Sequence, residues 1–457
     1  MVRLFGTDGI RGVANIFPMT SEVMVKVGLA LGAIIAKNQA RAAKSAQVII
    51  GRDTRRSGMM LESALSSGLT AAGTSVVLAG VLPTPAIAFL TRKWQAQAGI
   101  VISASHNPAQ DNGVKIFSAT GFKLPDELEA NIEHVVLDDQ VNLPRPTGAA
   151  IGTMTPAADA SEEYAEHLIQ SIFSDVKPDF RRVKIVVDCA NGAASFLAPT
   201  VLKYLQAEVI EMAVEPDGLN INHQCGALHT QALCERVRRE GARIGIALDG
   251  DADRLILVDE RGEQVDGDHI LAMLALDLQR KGRLRENTLV ATVMSNLGLE
   301  MAMKDAGIRF VRTAVGDRHV VEKMQSIGAN IGGEQSGHII LFEHGTTGDG
   351  LATALTVLKL LQERGQSLSE LAACMTSFPQ ILVNVPVKER KPIEEMVGVS
   401  EAIRRAEKEL GDRGRTLVRY SGTELLARVM VEAEYAETVT RIANTLADEL
   451  RNEIGVG

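Results

Sequence analysis

The sequence predicts an α/β protein with three topologically similar α/β domains, whose sheets are mixed and largely parallel, followed by a C-terminal α+β domain. Strand-like apolar runs alternate with helix-length stretches along most of the chain, as is typical of α/β layers. The same order of strand, turn and helix recurs three times, and the C-terminal part departs from it. With 457 residues, the chain also exceeds a single hydrophobic core, which stops growing near about 250–300 residues.

Each of the three repeats contains three strand-like runs. The first runs are Val48-Ile-Ile-Gly, Val183-Lys-Ile-Val-Val-Asp and Leu289-Val-Ala-Thr-Val. The second runs are Thr74-Ser-Val-Val-Leu, Glu208-Val-Ile-Glu-Met and Arg309-Phe-Val-Arg-Thr. The third runs, which end in polar loops, are Gly99-Ile-Val-Ile-Ser, Ile244-Gly-Ile-Ala-Leu-Asp and Ala329-Asn-Ile-Gly-Gly-Glu. Since ligands bind beyond the carboxyl ends of parallel strands, these three loops are the expected place for a site.

The C-terminal segment has a different design. Strands are predicted at 381–387, 416–419 and 427–433, and helices at 400–410 and 435–454. We therefore predict four domains, comprising residues 1–156, 157–261, 262–378 and 379–457.

Composition narrows the class of partner. A formal net charge of −9 disfavours nucleic acid, because an acidic surface repels a phosphate backbone. No apolar run approaches the ~20 residues of a membrane span, and the N-terminus lacks the pattern of a signal peptide. No two of the four cysteines form a Cys-x-x-Cys pair, so we expect reduced thiols in a cytoplasmic protein.

The first polar loop is Ser103-Ala-Ser-His-Asn-Pro108. Because proline cannot continue a strand ladder, Ser105 is expected on a tight turn beside His106. A serine hydroxyl becomes a useful nucleophile where a base or a positive site activates it. An ordinary hydrogen-bonded turn is the alternative, since Ser, Asn and Pro are common turn residues.

The second polar loop is Leu248-Asp-Gly-Asp-Ala-Asp-Arg254. Asp249, Asp251 and Asp253 would repel one another unless a cation lay between them, and all-oxygen ligands suit hard ions such as Mg²⁺. An EF-hand is disfavoured because a strand follows at once. A solvated acidic turn is the alternative, although the apolar strand before the loop favours burial.

The third polar loop is Gly332-Gly-Glu-Gln-Ser-Gly-His338. Its glycines allow a ligand to approach the backbone closely. Glu334 and Ser336 offer an acceptor and a donor suited to sugar hydroxyls, and His338 can exchange a proton near neutral pH. A bulged hairpin with incidental polar residues is the alternative.

A fourth polar segment, Arg419-Tyr-Ser-Gly-Thr-Glu424, lies in the C-terminal part, with Arg428 close behind it. Hydroxyls, a glycine and guanidinium groups make a compact anion site, for which phosphate is the natural ligand. An ordinary polar turn is the alternative. Near the N-terminus, Arg11 in Gly-Thr-Asp-Gly-Ile-Arg-Gly is either a phosphate contact or part of a structural ion pair.

Taken in order, these motifs resemble the α-D-phosphohexomutase superfamily over essentially the whole chain. The resemblance implies three α/β domains of one topology and a smaller fourth domain that closes over the substrate. It implies that Ser105 carries a phosphoryl group and that one Mg²⁺ per chain is held by this group and the three aspartates. It assigns the remaining residues to the transferred phosphoryl group (Arg11, Lys115, His338), to sugar hydroxyls (Glu334, Ser336) and to a distal phosphate (Arg419, Ser421, Gly422, Thr423).

The resemblance also implies a small sugar phosphate as the substrate, with no role for nucleic acid or a membrane. Gln335, where the mannose and glucose enzymes usually carry Met, favours glucosamine phosphate, and mannose or glucose phosphate is the alternative. A metal-dependent sugar phosphatase and a non-catalytic sugar-phosphate sensor are the rival classes. Lys115, His338 and His106 are all candidates for the general acid and base.

Two questions stay open at this point. The sequence does not determine the oligomeric state, for which a homodimer is one option. Tyr420 and Leu425 stand where the family commonly has proline, so the phosphate loop is expected to be less stiff than in the relatives.

Overall fold

A computed structural model describes residues 4–6, 8–39, 46–138, 143, 145–421 and 425–456, without the side chains of residues 38 and 39. The chain groups into two compact units. One comprises Met1–Val293 with Arg309–Ala372, and the other comprises Met294–Ile308 with Ala373–Gly457. Within the described residues, no helix combines the length and the apolar character that crossing a bilayer requires.

The N-terminal sheet has seven strands in the order β1-β2-β6-β5-β3-β4-β7. Its elements are β1 (Phe5–Gly6), β2 (Gly9–Val13), α1 (Ser21–Gln39), β3 (Gln47–Arg52), α2 (Gly58–Ala71), β4 (Ser75–Val81), α3 (Thr84–Lys93), β5 (Ala98–Ile102), β6 (Asp111–Ser118), α4 (Asp126–Leu137) and β7 (Met154–Pro156). The central strands are buried on both faces, as their uninterrupted apolar runs predict.

The second sheet has five strands in the order β12-β11-β10-β8-β9. Its elements are α5 (Ala160–Ile172), β8 (Lys184–Asp188), α6 (Leu197–Tyr204), β9 (Glu208–Met212), α7 (Gln231–Glu240), β10 (Ile244–Leu248), β11 (Leu255–Val258) and β12 (Gln264–Val265).

The third sheet has four strands in the order β14-β13-β15-β16. The elements of this region are α8 (Gly267–Arg280), β13 (Thr288–Thr292), α9 (Leu297–Asp305), β14 (Arg309–Thr313), α10 (Asp317–Ile327), β15 (Ile331–Gly333), β16 (Ile339–Leu341), α11 (Gly350–Arg364) and α12 (Leu368–Ala372).

The three sheets share one arrangement of four strands. In each, the first strand pairs in parallel with the second and the third, and the third pairs with an antiparallel fourth. The corresponding orders are β4-β3-β5-β6, β9-β8-β10-β11 and β14-β13-β15-β16. This confirms the predicted α/β class and the threefold repetition. The first, second and third polar loops of the sequence analysis each join the third strand of a repeat to its antiparallel neighbour.

The C-terminal sheet is antiparallel, in the order β17-β19-β18. Its elements are β17 (Gln380–Pro386), α13 (Val397–Leu410), β18 (Gly414–Tyr420), β19 (Leu426–Ala433) and α14 (Ala436–Ile454). Apolar residues of the strands and of both helices form one core, which includes Val429, Val431 and Leu446. The predicted α+β character of this part is confirmed, whereas the three boundaries between the four predicted domains stay predictions.

A buried carboxyl joins two helices of the larger unit. Asp349 caps the N-terminus of α11 by accepting the amide of Ala352 at 2.8 Å. Its other oxygen accepts the hydroxyl of Tyr164 from α5, and both side chains are buried. Burial raises the pKa of Asp349 to about 6, although the hydrogen bonds from Ala352 and Tyr164 oppose this.

The first prediction concerns this carboxyl. Because its folded pKa is raised, the folded state binds a proton that the unfolded chain has released, so stabilisation from Asp349 is lost as the pH rises from about 4 to about 6. Asp349→Asn keeps the shape and removes the titration. Relative to wild type, its free energy of unfolding should therefore increase by about 3 kcal/mol between about pH 4 and pH 7.

Urea unfolding across this pH range measures the difference. Asp179→Asn is the control, because this exposed carboxyl has its pKa lowered to about 2 by hydrogen bonds from Arg181 and titrates below the range. A difference between Asp349→Asn and wild type that stays constant with pH would contradict the prediction.

Candidate active site

Ser105 lies in the loop between β5 and β6, where the predicted turn is confirmed. Its φ of 52° is in the left-handed region, and it is only 1% exposed. The hydroxyl donates to Oδ2 of Asp249 at 2.6 Å and lies 3.3 Å from Nδ1 of His106. The β5 loop and the β10 loop therefore meet at the serine hydroxyl.

Asp249, Asp251 and Asp253 lie in the loop after β10 and are all buried. Each offers a carboxylate oxygen, and these atoms lie within 4.8 Å of one another. Oδ1 of Asp251 and Oδ1 of Asp253 accept no hydrogen bond from any described residue. Buried carboxylate oxygens without donors are costly, and hard cations prefer such ligands, so the cluster fits a divalent metal ion.

The pKa values of two of these buried carboxyl groups, Asp249 and Asp253, are shifted in opposite directions by their surroundings. Burial and the neighbouring carboxylates of Asp253 and Asp251 hold the pKa of Asp249 well above its usual range. Burial also raises the pKa of Asp253, but Lys115 and His338 outweigh it and the pKa is lowered well below its usual range. A bound cation would lower the pKa of Asp249, because it favours the ionised carboxylate.

Lys115 extends from β6 into the carboxylate cluster and is 3% exposed. Its Nζ lies 2.9 Å from Oδ2 of Asp251 and 2.9 Å from Oδ2 of Asp253. Burial lowers the pKa of Lys115, but these carboxylates outweigh burial and raise it well above its usual range. Lys115 is thus a fixed positive charge within the cluster.

Arg11 on β2 forms an ion pair with Asp8 and donates to the carbonyl of Ala104 at 3.3 Å. Asp8 in turn lies 3.4 Å from Nζ of Lys115 and contacts Lys123. Both alternatives for Arg11 thus retain support: it is part of an ion pair, and it lies against the Ser105 loop. Sequence reasoning missed Asp8 and Lys123, although Asp8 belongs to the glycine-dense motif.

The two histidines differ in environment. Burial, Arg254 and Arg11 lower the pKa of His106 to about 4, so that its ring is neutral at pH 7. Burial lowers the pKa of His338, but Asp253 and Asp317 outweigh it and raise it to about 9. Nε2 of His338 nevertheless accepts the amide of Gly348 at 3.1 Å, a contact that requires a lone pair and stabilises the neutral ring.

Glu334 and Ser336 lie in the turn between β15 and β16, beside His338. Oε1 of Glu334 accepts the amide of Gly316 at 3.1 Å, and Oε2 lies 3.4 Å from the hydroxyl of Ser336. The turn is the hairpin that the sequence offered as the alternative, and its polar side chains are only partly buried. These side chains are thus partly accessible to a ligand.

In the smaller unit, Arg419 on β18 is directly opposite Arg428 on β19. Burial and the charge of Arg428 lower the pKa of Arg419. Like charges placed opposite each other destabilise an antiparallel pair, so this arrangement favours a bound anion. Ser421 follows β18 and is buried, and Gly422 and Thr423 lie outside the described residues.

Tyr420 donates its hydroxyl to the carbonyl of Lys391 at 2.6 Å, which anchors the C-terminal end of β18.

Two further residues hold the serine loop and were missed in the sequence. Arg55 follows β3 and Asn222 lies between β9 and α7, and both donate to the carbonyl of Ser105, at 3.0 and 2.8 Å. The segment Asp53-Thr-Arg55 directly follows the first strand of the first repeat at its carboxyl end, which is a signal for Arg55. No comparable signal marks Asn222.

The chain matches the phosphoglucomutase/phosphomannomutase family in four consecutive parts. The alpha/beta/alpha domain I matches residues 2–142, domain II residues 162–262, domain III residues 266–378 and the C-terminal domain residues 382–449. These matches follow the order of the four sheets.

Curated relatives are similar over nearly their whole length. Proteins named phosphoglucosamine mutase from Syntrophotalea carbinolica, Nitratidesulfovibrio vulgaris and Anaeromyxobacter dehalogenans are 48%, 52% and 51% identical to the chain. Each alignment covers 99% of this chain and 98%, 99% and 99% of the respective relative.

Solved structures share the fold. A phosphoglucomutase/phosphomannomutase family protein from Burkholderia thailandensis superposes with a TM-score of 0.80 at 25% identity, covering 100% of both chains. An Aspergillus fumigatus N-acetylphosphoglucosamine mutase in complex with GlcNAc-6P and magnesium superposes with a TM-score of 0.69 at 20% identity, covering 98% and 96% of the two chains. The four consecutive matches and the relatives that are about half identical confirm the resemblance seen in the motifs: the chain belongs to the phosphoglucomutase/phosphomannomutase family of phosphohexomutases.

Proposed function

We propose that the chain interconverts glucosamine 6-phosphate and glucosamine 1-phosphate through a phosphorylated Ser105 and a 1,6-bisphosphate intermediate. As a phosphohexomutase it is an intramolecular phosphotransferase. The names of its curated relatives support the amino sugar as the substrate. The observation that carries the proposal is the contact of the Ser105 hydroxyl with Asp249, within a buried cluster of three carboxylates and Lys115.

The metal ion that suits this cluster is Mg²⁺, one per chain, which Asp249, Asp251 and Asp253 would hold together with the phosphoryl group proposed for Ser105. When bound, Mg²⁺ stabilises negative charge on the oxygens of a transferring phosphoryl group. The all-oxygen donor set and the two carboxylate oxygens without donors support this choice. The described part of the chain contains no other such cluster of His, Cys, Asp and Glu.

The chain's own residues account for the transfer. Ser105 Oγ releases the phosphoryl group to the 1-hydroxyl of the sugar, and the proton of that hydroxyl passes to a nearby base. The bisphosphate then turns over and returns its 6-phosphoryl group to Ser105. His106, neutral and 3.3 Å from the serine hydroxyl, and His338 are the candidates to accept and return the proton.

Positive charge around Ser105 balances a phosphoryl group of about −1.5 to −2. Lys115 and Arg11 are the proposed source of this charge, since both contact the carboxylates or the backbone beside the serine. A fixed cation that needs no reorganisation is an effective stabiliser of a charged transition state.

Glu334 and Ser336 are proposed to bind the sugar hydroxyls, since their turn lies beside His338 and keeps accessible polar atoms. Gln335 lies between them, and its Nε2 donates to Asp266 at 3.3 Å. That contact restricts the rotation of the amide, which supports a role for Gln335 in recognising the amino sugar.

The phosphate that is not being transferred is proposed to bind at Arg419 and Ser421, with Gly422, Thr423 and Arg428. The cross-strand pair of arginines supports this role, since a phosphate would relieve the repulsion between their charges. Such a site recognises the charge of the ligand more than the shape of the sugar, so it can bind either phosphate group of a bisphosphate.

The proposed setting is the cytoplasm, which the four free thiols support. The proposed partner is the sugar phosphate alone, and a homodimer is the assembly that we would test first.

The activity is tested by following 1-phosphate formation from glucosamine, mannose and glucose 6-phosphates by ³¹P NMR. The Mg²⁺-loaded chain, with Ser105 confirmed as phosphorylated by mass spectrometry, should convert the glucosamine compound fastest. Ser105→Ala should lose more than about 1000-fold in turnover, because the covalent step is removed. Ser63→Ala, at an exposed serine of α2, is the control.

The outcomes separate the alternatives. Preference for mannose or glucose phosphate would retain the mutase mechanism and overturn the substrate. Release of inorganic phosphate would indicate a phosphatase. Binding of sugar phosphate without turnover would indicate a sensor.

Metal binding is tested with Asp251→Asn, which removes one charge from the cluster. After EDTA treatment, Mg²⁺ should raise the unfolding temperature of the wild type, since a ligand at 100 times its Kd contributes about 2.7 kcal/mol. Asp251→Asn should bind Mg²⁺ at least about tenfold more weakly by calorimetry. Asp217→Asn, at an exposed carboxylate, should match the wild type. Equal Mg²⁺ affinity in all three proteins would place the metal elsewhere.

The phosphate site is tested with Arg419→Ala. A charge-assisted hydrogen bond contributes about 1.5–3 kcal/mol, so the KM for glucosamine 6-phosphate should rise about 10- to 100-fold. The unfolding temperature should not fall, because the substitution relieves the repulsion with Arg428. Arg413→Ala is the control, since Arg413 is exposed and pairs with Glu434 in the same unit. An unchanged KM in Arg419→Ala would remove Arg419 from the site.

A further inference from the structure

The guanidinium of Arg55 lies beneath the loop that carries Ser105 and is 1% exposed. Its Nε donates to Oδ2 of Asp53 at 2.8 Å. Asp53 is the only carboxylate with which it forms an ion pair among the described residues. The remaining N–H groups all donate to backbone carbonyls of the segment from Ser105 to Asp111.

Every N–H group of this guanidinium has a hydrogen-bond acceptor. Nη1 donates to the carbonyls of Pro108 and Asp111, the latter at 3.0 Å. Nη2 donates to the carbonyls of Ser105 and Asn107, at 3.0 and 2.8 Å. An arginine has five N–H donors in a planar fork, and all five are used here. A lysine, with three donors on a single atom, cannot reach this set.

Asn222 provides a second hold on the same loop, from the region between β9 and α7. Its Nδ2 donates to the carbonyls of Ser105 and Asn107, at 2.8 and 2.9 Å. The packing here is tight: a Cβ at Gly250 would lie 2.5 Å from the carbonyl oxygen of Ser105 and 2.9 Å from Nδ2 of Asn222. The loop that carries Ser105 and the loop after β10 can therefore pack together only with glycine at position 250.

These contacts hold Ser105 in a conformation that it would not adopt alone. A left-handed φ at a residue other than glycine is strained and persists where the surroundings over-determine it. The amide of Ser105 donates to the hydroxyl of Ser103 at 2.9 Å, and that hydroxyl donates to Asp53 at 2.6 Å. The backbone of Ser105 is thus held through both its amide and its carbonyl.

We propose that Arg55 and Asn222 are positioning residues for phosphoryl transfer, a role that rests on the proposed function of Ser105. They bind the loop carbonyls, while the hydroxyl of Ser105 points to Asp249. The loop carbonyl oxygens, which carry partial negative charge, are thereby hydrogen-bonded to donors. They therefore repel the proposed phosphoryl group on Ser105, with its charge of about −1.5 to −2, less than free carbonyls would. Neither residue touches the reacting atoms.

The test compares kcat and KM of Arg55→Lys and Asn222→Ala with wild type, using phosphorylated, Mg²⁺-loaded full-length protein. Misplacement of a reacting group by about 1 Å costs about 100-fold, so kcat should fall about 100-fold in Arg55→Lys. In Asn222→Ala, where Arg55 still holds the loop, kcat should fall about tenfold. KM should stay within about threefold in both, because the substrate contacts are retained. Arg56→Lys, at the exposed neighbouring arginine, should match wild type.

A rescue experiment separates positioning from a general loss of structure. Arg55→Ala with added guanidinium ion should regain at least about tenfold in kcat, because the ion can refill the buried space and its acceptors. Kinetics of Asn222→Ala decide the question if the Arg55 variants do not fold. A kcat within about threefold of wild type in Asn222→Ala and in any folded Arg55→Lys would overturn the proposal.

The controls distinguish this inference from the proposed function. Wild type that turns over in a Ser105-dependent manner supports the proposed function whatever the Arg55 variants do. Inactive wild type with confirmed phosphorylation of Ser105 would overturn both proposals together.

Discussion

The repulsion among three aspartates buried in one short loop is the constraint around which the larger unit is arranged. Carboxylates removed from water need positive partners or protons, and here the partners come from elsewhere in the chain. Lys115 on β6 contacts two of the three aspartates, His338 at the start of β16 lies near Asp253, and Ser105 after β5 donates to Asp249. Each sheet of the larger unit thereby contributes to one site, and a divalent cation would complete the balance of charge.

The repeated topology explains how residues so distant in sequence meet. In each of three sheets, the loop after the third strand leads into an antiparallel neighbour, so the polar residues of that loop occupy equivalent positions at the sheet edge. One arrangement of strands therefore presents the three loops for which we propose a nucleophile, a group of metal ligands and a sugar-binding turn, depending only on the residues in the loop. The fold supplies the placement, and the loop residues supply the chemistry.

Rigidity at the serine and the paired charges at the proposed phosphate site serve different needs. Ser105 is held through its amide and its carbonyl, and the phosphoryl transfer that we propose for it would require such a fixed position. Arg419 and Arg428 form a like-charged pair across an antiparallel ladder, which favours an anion without demanding one sugar orientation. A mutase that returns its intermediate in the reverse orientation needs both properties.

The sequence by itself determined the α/β repetition and the family, and it indicated the loops to which we assign the chemistry, because hydrophobic periodicity and short motifs are local properties. It also indicated the carboxylate cluster, since three alternating aspartates after an apolar strand repel one another strongly unless a cation lies between them. Only the tertiary structure decided that Lys115 lies between Asp251 and Asp253, that His106 is neutral, and that Arg55 and Asn222 hold the serine loop. These properties depend on burial and on contacts between residues far apart in the chain, such as the pair of Asn222 and Ser105 with a separation of 117. No local pattern encodes these contacts, although the place of Arg55 just after a first strand is a signal for that residue.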